Sequence, residues 1–202
     1  MLRAFRLTAA TRRFGLASAL VLATGCGTSP PLERSGVALT PPRSWRPIER
    51  TRVSVPGTPL AAWSGPAGGA ASLVIYRALP IPDGTAKGLA EGLANRLTNL
   101  PGYRVLGRRT ESWSGLEAAR VDAVAPGTGD RLAASGIGKA VALDGRPLVP
   151  TKQVTFGFPR ASDTLYLVWH APESDGETLE GAIRETLRGL RIRSSFVRPA
   201  SY

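Results

Sequence analysis

Two spacings of apolar residues run through this chain in blocks, one of three and four, the other of two. Ala86, Leu89, Ala90, Leu93 and Leu97 recur at helical spacing and predict a helix over Thr85–Thr98, stopped by Asn99 and Pro101-Gly102. Leu179, Ala182, Ile183, Thr186, Leu187 and Leu190 mark one face of a closing helix, and Ser174 with Glu177 has the spacing of a capping box at its start. Period-two segments lie between. Leu116–Ala125 sets Ala119, Val121 and Ala123 against Arg120 and Asp122, and Tyr103–Trp113 precedes it across a turn at Ser114-Gly115, so the two predict a hairpin. Ser72–Arg77 is a strand by its valine, isoleucine and tyrosine, and Thr164–Trp169 is apolar on both faces, as a covered central strand is. Further strands are expected over Arg52–Val55 and Leu60–Trp63, either side of Pro56-Gly57, and over Leu132–Leu143 and Val149–Phe158.

The order of elements is ββ(β)αββββα, an α+β domain. It occupies residues 43–193, with a basic tail over 194–202 that holds Phe196 and Arg198. Ahead of it, GTSPPLERSGVALTPP is rich in Pro, Ser, Thr and Gly without apolar periodicity, so residues 26–42 read as a tether.

The N-terminus follows a different pattern. Arg3, Arg6, Arg12 and Arg13 come before an apolar run, Leu16 to Leu22, with no acidic residue ahead of Cys26. The run falls short of the ~20 residues that span a bilayer. Cys26 is the only cysteine of the chain, so it has no internal disulfide partner. Leu22-Ala23-Thr24-Gly25-Cys26 resembles the bacterial lipobox, with Ala23 where leucine is usual. That resemblance implies a signal peptide over 1–25 and a Cys26 that becomes the lipid-bearing (palmitate) first residue of a cell-envelope lipoprotein outside the cytoplasm. Gly27 is not the aspartate associated with inner-membrane retention, which points to the outer membrane in a cell with two. Thr11 to Leu16 is faintly similar to a twin-arginine export motif.

Charge alters the picture little. The formal charge is +11, and removing residues 1–25 takes away four arginines to leave 177 residues carrying +7. A single domain of that size buries a core without disulfides. Outside the cytoplasm the anionic neighbours are lipid headgroups and acidic protein faces. No RNA-binding signature or zinc-finger spacing occurs, so no nucleic-acid partner is expected.

Trp45 after a Pro-Pro pair, Gly65-Pro66 before a strand, Gly102-Tyr103 after the first helix and Gly115 in the next turn, together with the element order, resemble the PsbP/Mog1-like domains over residues 40 to 192. The resemblance implies an antiparallel sheet flanked by helices, an α/β/α sandwich, in proteins that mostly bind other proteins and share no active site. It transfers no functional residue.

Catalytic chemistry finds few residues to use. His170 is the only histidine, and it is expected to pack beside the turn that follows its strand. Ser112-Trp113-Ser114-Gly115 lacks the first glycine of a nucleophile elbow. Gly136-Ile137-Gly138-Lys139 lacks the flanking residues of a phosphate loop, with Ala133 and Ala140 at the deciding positions. One histidine and one cysteine make no usual zinc site, so neither metal nor cofactor is expected. Trp169 belongs in the core beside Leu165 and Leu167, whereas Trp113 at a hairpin end is a possible contact surface. Arg184, Arg188 and Arg191 form a basic stripe on the closing helix, open to headgroups or an acidic partner, but Glu180 and Glu185 are spaced to pair with Arg184 and Arg188, which favours a merely solvated face. The expected function is a lipid-anchored, non-catalytic module that binds or helps assemble envelope proteins. The alternative is a small-ligand carrier or enzyme using a pocket between sheet and helix.

Overall fold

Leu165, Leu167 and Trp169 alternate with Tyr166, Val168 and His170 along one strand, and all six are buried, so their sheet must be covered on both faces. The structure, a computed structural model, describes residues 30–65, 71–113, 115–126 and 150–193. Cys26 and its signal, the Leu132–Leu143 strand, Gly136 to Lys139 and the tail over 194–202 lie outside the described residues.

The elements are α1 (Pro30–Arg34), β1 (Val37–Ala38), β2 (Arg46–Pro47), β3 (Thr58–Ser64), β4 (Ser72–Ala78), α2 (Ala86–Thr98), β5 (Arg104–Trp113), β6 (Leu116–Ala125), β7 (Thr151–Pro159), β8 (Thr164–Pro172), α3 (Gly176–Gly189) and β9 (Arg191–Ile192). Seven strands form one antiparallel sheet in the order β2-β3-β4-β8-β7-β6-β5, and β1 pairs with β9. On one face α2 sets Leu89 and Ala90 against Val74, Ala119 and Val168, and Ala94 and Leu97 against Val121 and Ala123. A Cβ at Gly157 would run into Leu89, so glycine there lets the helix approach β7. On the other face α3 buries Leu179, Ile183 and Leu187 with Phe156, Leu167 and Trp169. This is the expected α+β sandwich, with β8 at its centre.

Three expectations change. Residues 30–42 belong to the folded body rather than to a tether: Leu32, Val37 and Leu39 lie in the α3-side core, and β1 pairs with β9. The buried Arg160 fastens this segment, since it forks onto Asp163 at 2.6 Å while Nη1 donates to the Ser35 carbonyl at 2.7 Å. These few apolar residues follow no period because each enters the core singly. Arg52–Val55 is not a regular strand. Arg50–Arg52 forms a 3-10 turn, Val53 packs into the α2-side core, and β2 takes the sheet edge. The capping box is not made either. Ser174 sits in a 3-10 turn over Glu173–Asp175, its hydroxyl donating to Asp175, and α3 starts at Gly176 without a side-chain cap.

Candidate functional site

The most polar row of the interior crosses the sheet at His170. Its Nδ1 lies 3.5 Å from Ser72 Oγ on β4, and its Nε2 lies 3.2 Å from Gln153 Oε1 on β7. Gln153 donates its amide to Thr155 at 3.1 Å, so its Oε1 accepts, which puts the imidazole proton on Nε2 and leaves Nδ1 to accept from Ser72. Burial pushes the imidazole down to about 4, so it is neutral at pH 7. Serine next to histidine is the chemistry of a nucleophile and its base. All four side chains are nevertheless only 2–3% exposed, enclosed within the body of the protein. The histidine thus lies within the sheet, bridging three strands, rather than beside the turn as expected.

A second cluster lies on the α3 face of β5 and β6. Arg120 is buried, donates to Asp122 at 2.8 Å and to Glu180 at 2.5 Å, and stands 5.3 Å over the Phe156 ring. Arg109 bridges Glu111 and Asp122, and Lys152 donates to Glu180 at 3.2 Å. Hydrogen bonds from Arg120, with lesser ones from Lys152, hold the Glu180 carboxyl below its ordinary range against the opposing effect of burial. Three cations and three carboxylates neutralise one another here, so the cluster fastens α3 to the sheet. Glu180 therefore faces inward and does not support Arg184. Among the described residues no three His, Cys, Asp or Glu side chains are grouped to hold a metal ion.

The structure does not bring the residues singled out in the sequence to one place. Trp113 is half-buried, donates to Glu111 at 2.9 Å and packs edge-on to Phe156, so part of its surface belongs to the core. Arg184 and Arg188 are exposed on α3. Arg191 is exposed too but lies in β9, beyond the helix, with Nη1 donating to the Arg188 and Leu190 carbonyls that end it. Trp169 is fully buried, as expected.

The alternative reading sets a pocket between sheet and helix, and a groove lies there beside α2, lined by residues that the sequence does not single out. About 380 Å³ of space opens between the helix and the sheet, bounded by Ile81, Leu89, Gly92, Leu93, Arg96 and Tyr166. Its floor is Tyr166, stacked on Tyr76 with ring centroids 4.9 Å apart. Burial raises both phenols above their ordinary range, with the nearby Arg96 guanidinium opposing that rise, so both stay protonated donors. Gly88, Gly92 and Arg96 at helical intervals were the available signal, one invisible to a search for catalytic motifs. A broader depression of about 790 Å³ between β3 and the 3-10 turn has Glu49 and Arg50 as its charged lining, and Glu49 already pairs with Arg52.

No protein-family model and no curated protein matches this chain. Solved structures do. The PsbP protein (CyanoP) of the cyanobacterium Synechocystis superposes with a TM-score of 0.52 at 8% identity, over 79% of this chain and 88% of that one. The fold is PsbP-like. LpqN, involved in cell envelope biogenesis of Mycobacterium tuberculosis, superposes with a TM-score of 0.51 at 17% identity, over 77% and 82% of the two chains. At these identities the PsbP-like fold is what the likeness shows. No helix among the described residues is long and apolar enough to cross a membrane.

Proposed function

We propose that this chain is a lipid-anchored, extracytoplasmic module without catalysis of its own, which binds envelope proteins or helps assemble them. The observation that carries the reading is Cys26, placed after Ala23-Thr24-Gly25 and just ahead of a PsbP-like body that begins at Pro30. The likeness of that body to an envelope-biogenesis protein supports it, and so does the interior placement of His170 and Ser72, which leaves the one histidine without a substrate. Three residues separate Cys26 from α1, so an acylated cysteine would hold the body within ~14 Å of the lipid surface. The exposed Arg184, Arg188 and Arg191 then offer positive charge to headgroups or to an acidic protein face. Gly27 favours the outer membrane where there are two.

Cys26→Ser tests the anchor. The variant is expected to leave the membrane fraction or to remain unprocessed, and the intact mass of the native protein is expected to show an acylated Cys26 as first residue. An unmodified cysteine, or cleavage elsewhere, would remove the anchor from this reading. For the binding role, a photocrosslinker at Arg188 in cells is expected to capture envelope proteins, and Arg184→Glu with Arg191→Glu to abolish that capture. Capture that ignores both changes would separate the basic surface from partner binding.

A further inference from the structure

The groove between α2 and the sheet contains a glycine that the chain's own packing does not explain. A Cβ at Gly88 would strike Asp83 and one at Gly157 would strike Leu89, but a Cβ at Gly92 would meet nothing within 4 Å. Glycine inside a helix costs ~1 kcal/mol relative to alanine. At Gly92 that cost brings no closer contact between elements. It keeps the wall of the groove open. Leu89, Leu93 and Ile81 line the space with hydrocarbon and Tyr166 provides a flat aromatic floor.

The charges at the two ends differ in what they are already doing. Asp83, near the start of α2, is occupied by Thr85, whose amide and hydroxyl donate to its two oxygens at 3.2 and 3.1 Å. Arg96, nearly three turns further along, is exposed and has no carboxylate partner among the described residues. From Gly88 to Arg96 the helix rises ~12 Å. The volume falls within the ~300–1,000 Å³ of small-molecule sites.

We propose that this groove binds an amphiphilic monoanion of the medium-chain carboxylate class, with its slender apolar body along Gly92 and Tyr166 and its carboxylate on the Arg96 guanidinium. Burial of the apolar body supplies most of the affinity, and the Arg96 guanidinium fixes the orientation. The site lies on the face opposite α3, away from Arg184 and Arg188. It therefore stands apart from that basic surface.

The test uses the full chain carrying Cys26→Ser, with octanoic acid as the carboxylate probe, followed by isothermal titration calorimetry, and methyl octanoate as the neutral control. The acid is expected to bind saturably at one site. The ester is expected to bind about tenfold more weakly, the effect of one charge-assisted contact, and Arg96→Gln to remove that difference. Gly92→Leu fills the space and is expected to abolish binding while leaving the thermal midpoint unchanged or higher. Should Gly92→Leu not fold, amide shifts on titrating the probe into the Cys26→Ser chain replace it, with changes expected at Gly88 to Arg96 and around Tyr166. Absence of saturable binding, binding that ignores Arg96→Gln and Gly92→Leu alike, or shifts confined to other surfaces would each overturn the assignment. None of these outcomes bears on acylation of Cys26.

Discussion

At His170 a titratable side chain stands where its charged form has no solvent, and the fold depends on keeping it neutral. Its folded value of about 4 lies below the ordinary 6.5 of histidine. Between those values the unfolded chain binds a proton that the folded chain refuses, so stability is full above about pH 6.5 and is lost as pH falls toward 4, by at most ~3 kcal/mol. His170→Gln keeps a polar group in the row and removes the proton site. Its thermal midpoint is expected to vary less between pH 7 and 4 than that of the unmodified chain. Parallel curves would show that His170 does not set the acid sensitivity in that window, since Glu180, whose value is depressed, gives its loss at still lower pH.

Among the elements, α3 divides most sharply into an inner and an outer face. Leu187 is 1% exposed within the α3-side core, whereas Arg188, one residue on, is exposed. Leu187→Ala is therefore expected to cost ~2–5 kcal/mol as a cavity in packed surroundings. Arg188→Ala is expected to cost under ~1 kcal/mol, since an exposed cation is screened by solvent. Chemical denaturation of the two variants compares them directly, and equal losses would mean that the helix packs by another face. The start of α3 departs from the capping box for a local reason. A capping box requires Ser174 to sit one residue before the helix, and the 3-10 turn over Glu173–Asp175 takes the chain around before the helix begins.

For the molecule as a whole, the boundary of the folded body matters most. A chain starting at Thr40 loses Leu32, Val37 and Leu39 from the core, the β1–β9 pairing and the carbonyl that Arg160 holds. Each large apolar side chain contributes ~1.5–3 kcal/mol when buried. A fragment beginning at Pro30 is thus expected to unfold cooperatively at a clearly higher urea midpoint than one beginning at Thr40. Coincident midpoints would mean that residues 30–39 lie on the body without stabilising it.

Periodicity determined α2, α3 and the β5–β6 hairpin nearly to their ends, because each is long enough for an apolar face to repeat, while strand-forming composition and bounding turns located β3, β4, β7 and β8. Thr85 as the cap of α2 and Gly115 at positive φ in the β5–β6 turn show local chemistry agreeing with that pattern. Leu32, Val37 and Leu39 could not be read in this way. Three isolated apolar residues in a proline-rich stretch look like a linker until a sheet and a helix are present to bury them. The same holds for Glu180, whose sequence neighbour Arg184 lost to Arg120, sixty residues away along the chain but in reach across the sandwich. The groove was decided at the tertiary level too. Tyr76 and Tyr166 are ninety residues apart, and only their register on adjacent strands lays one ring on the other beneath Gly92. Spacing along the chain records which residues share a face of one element. It holds no record of what the opposing element leaves uncovered, and that is where an interior charge pair, a buried terminus or a ligand groove arises.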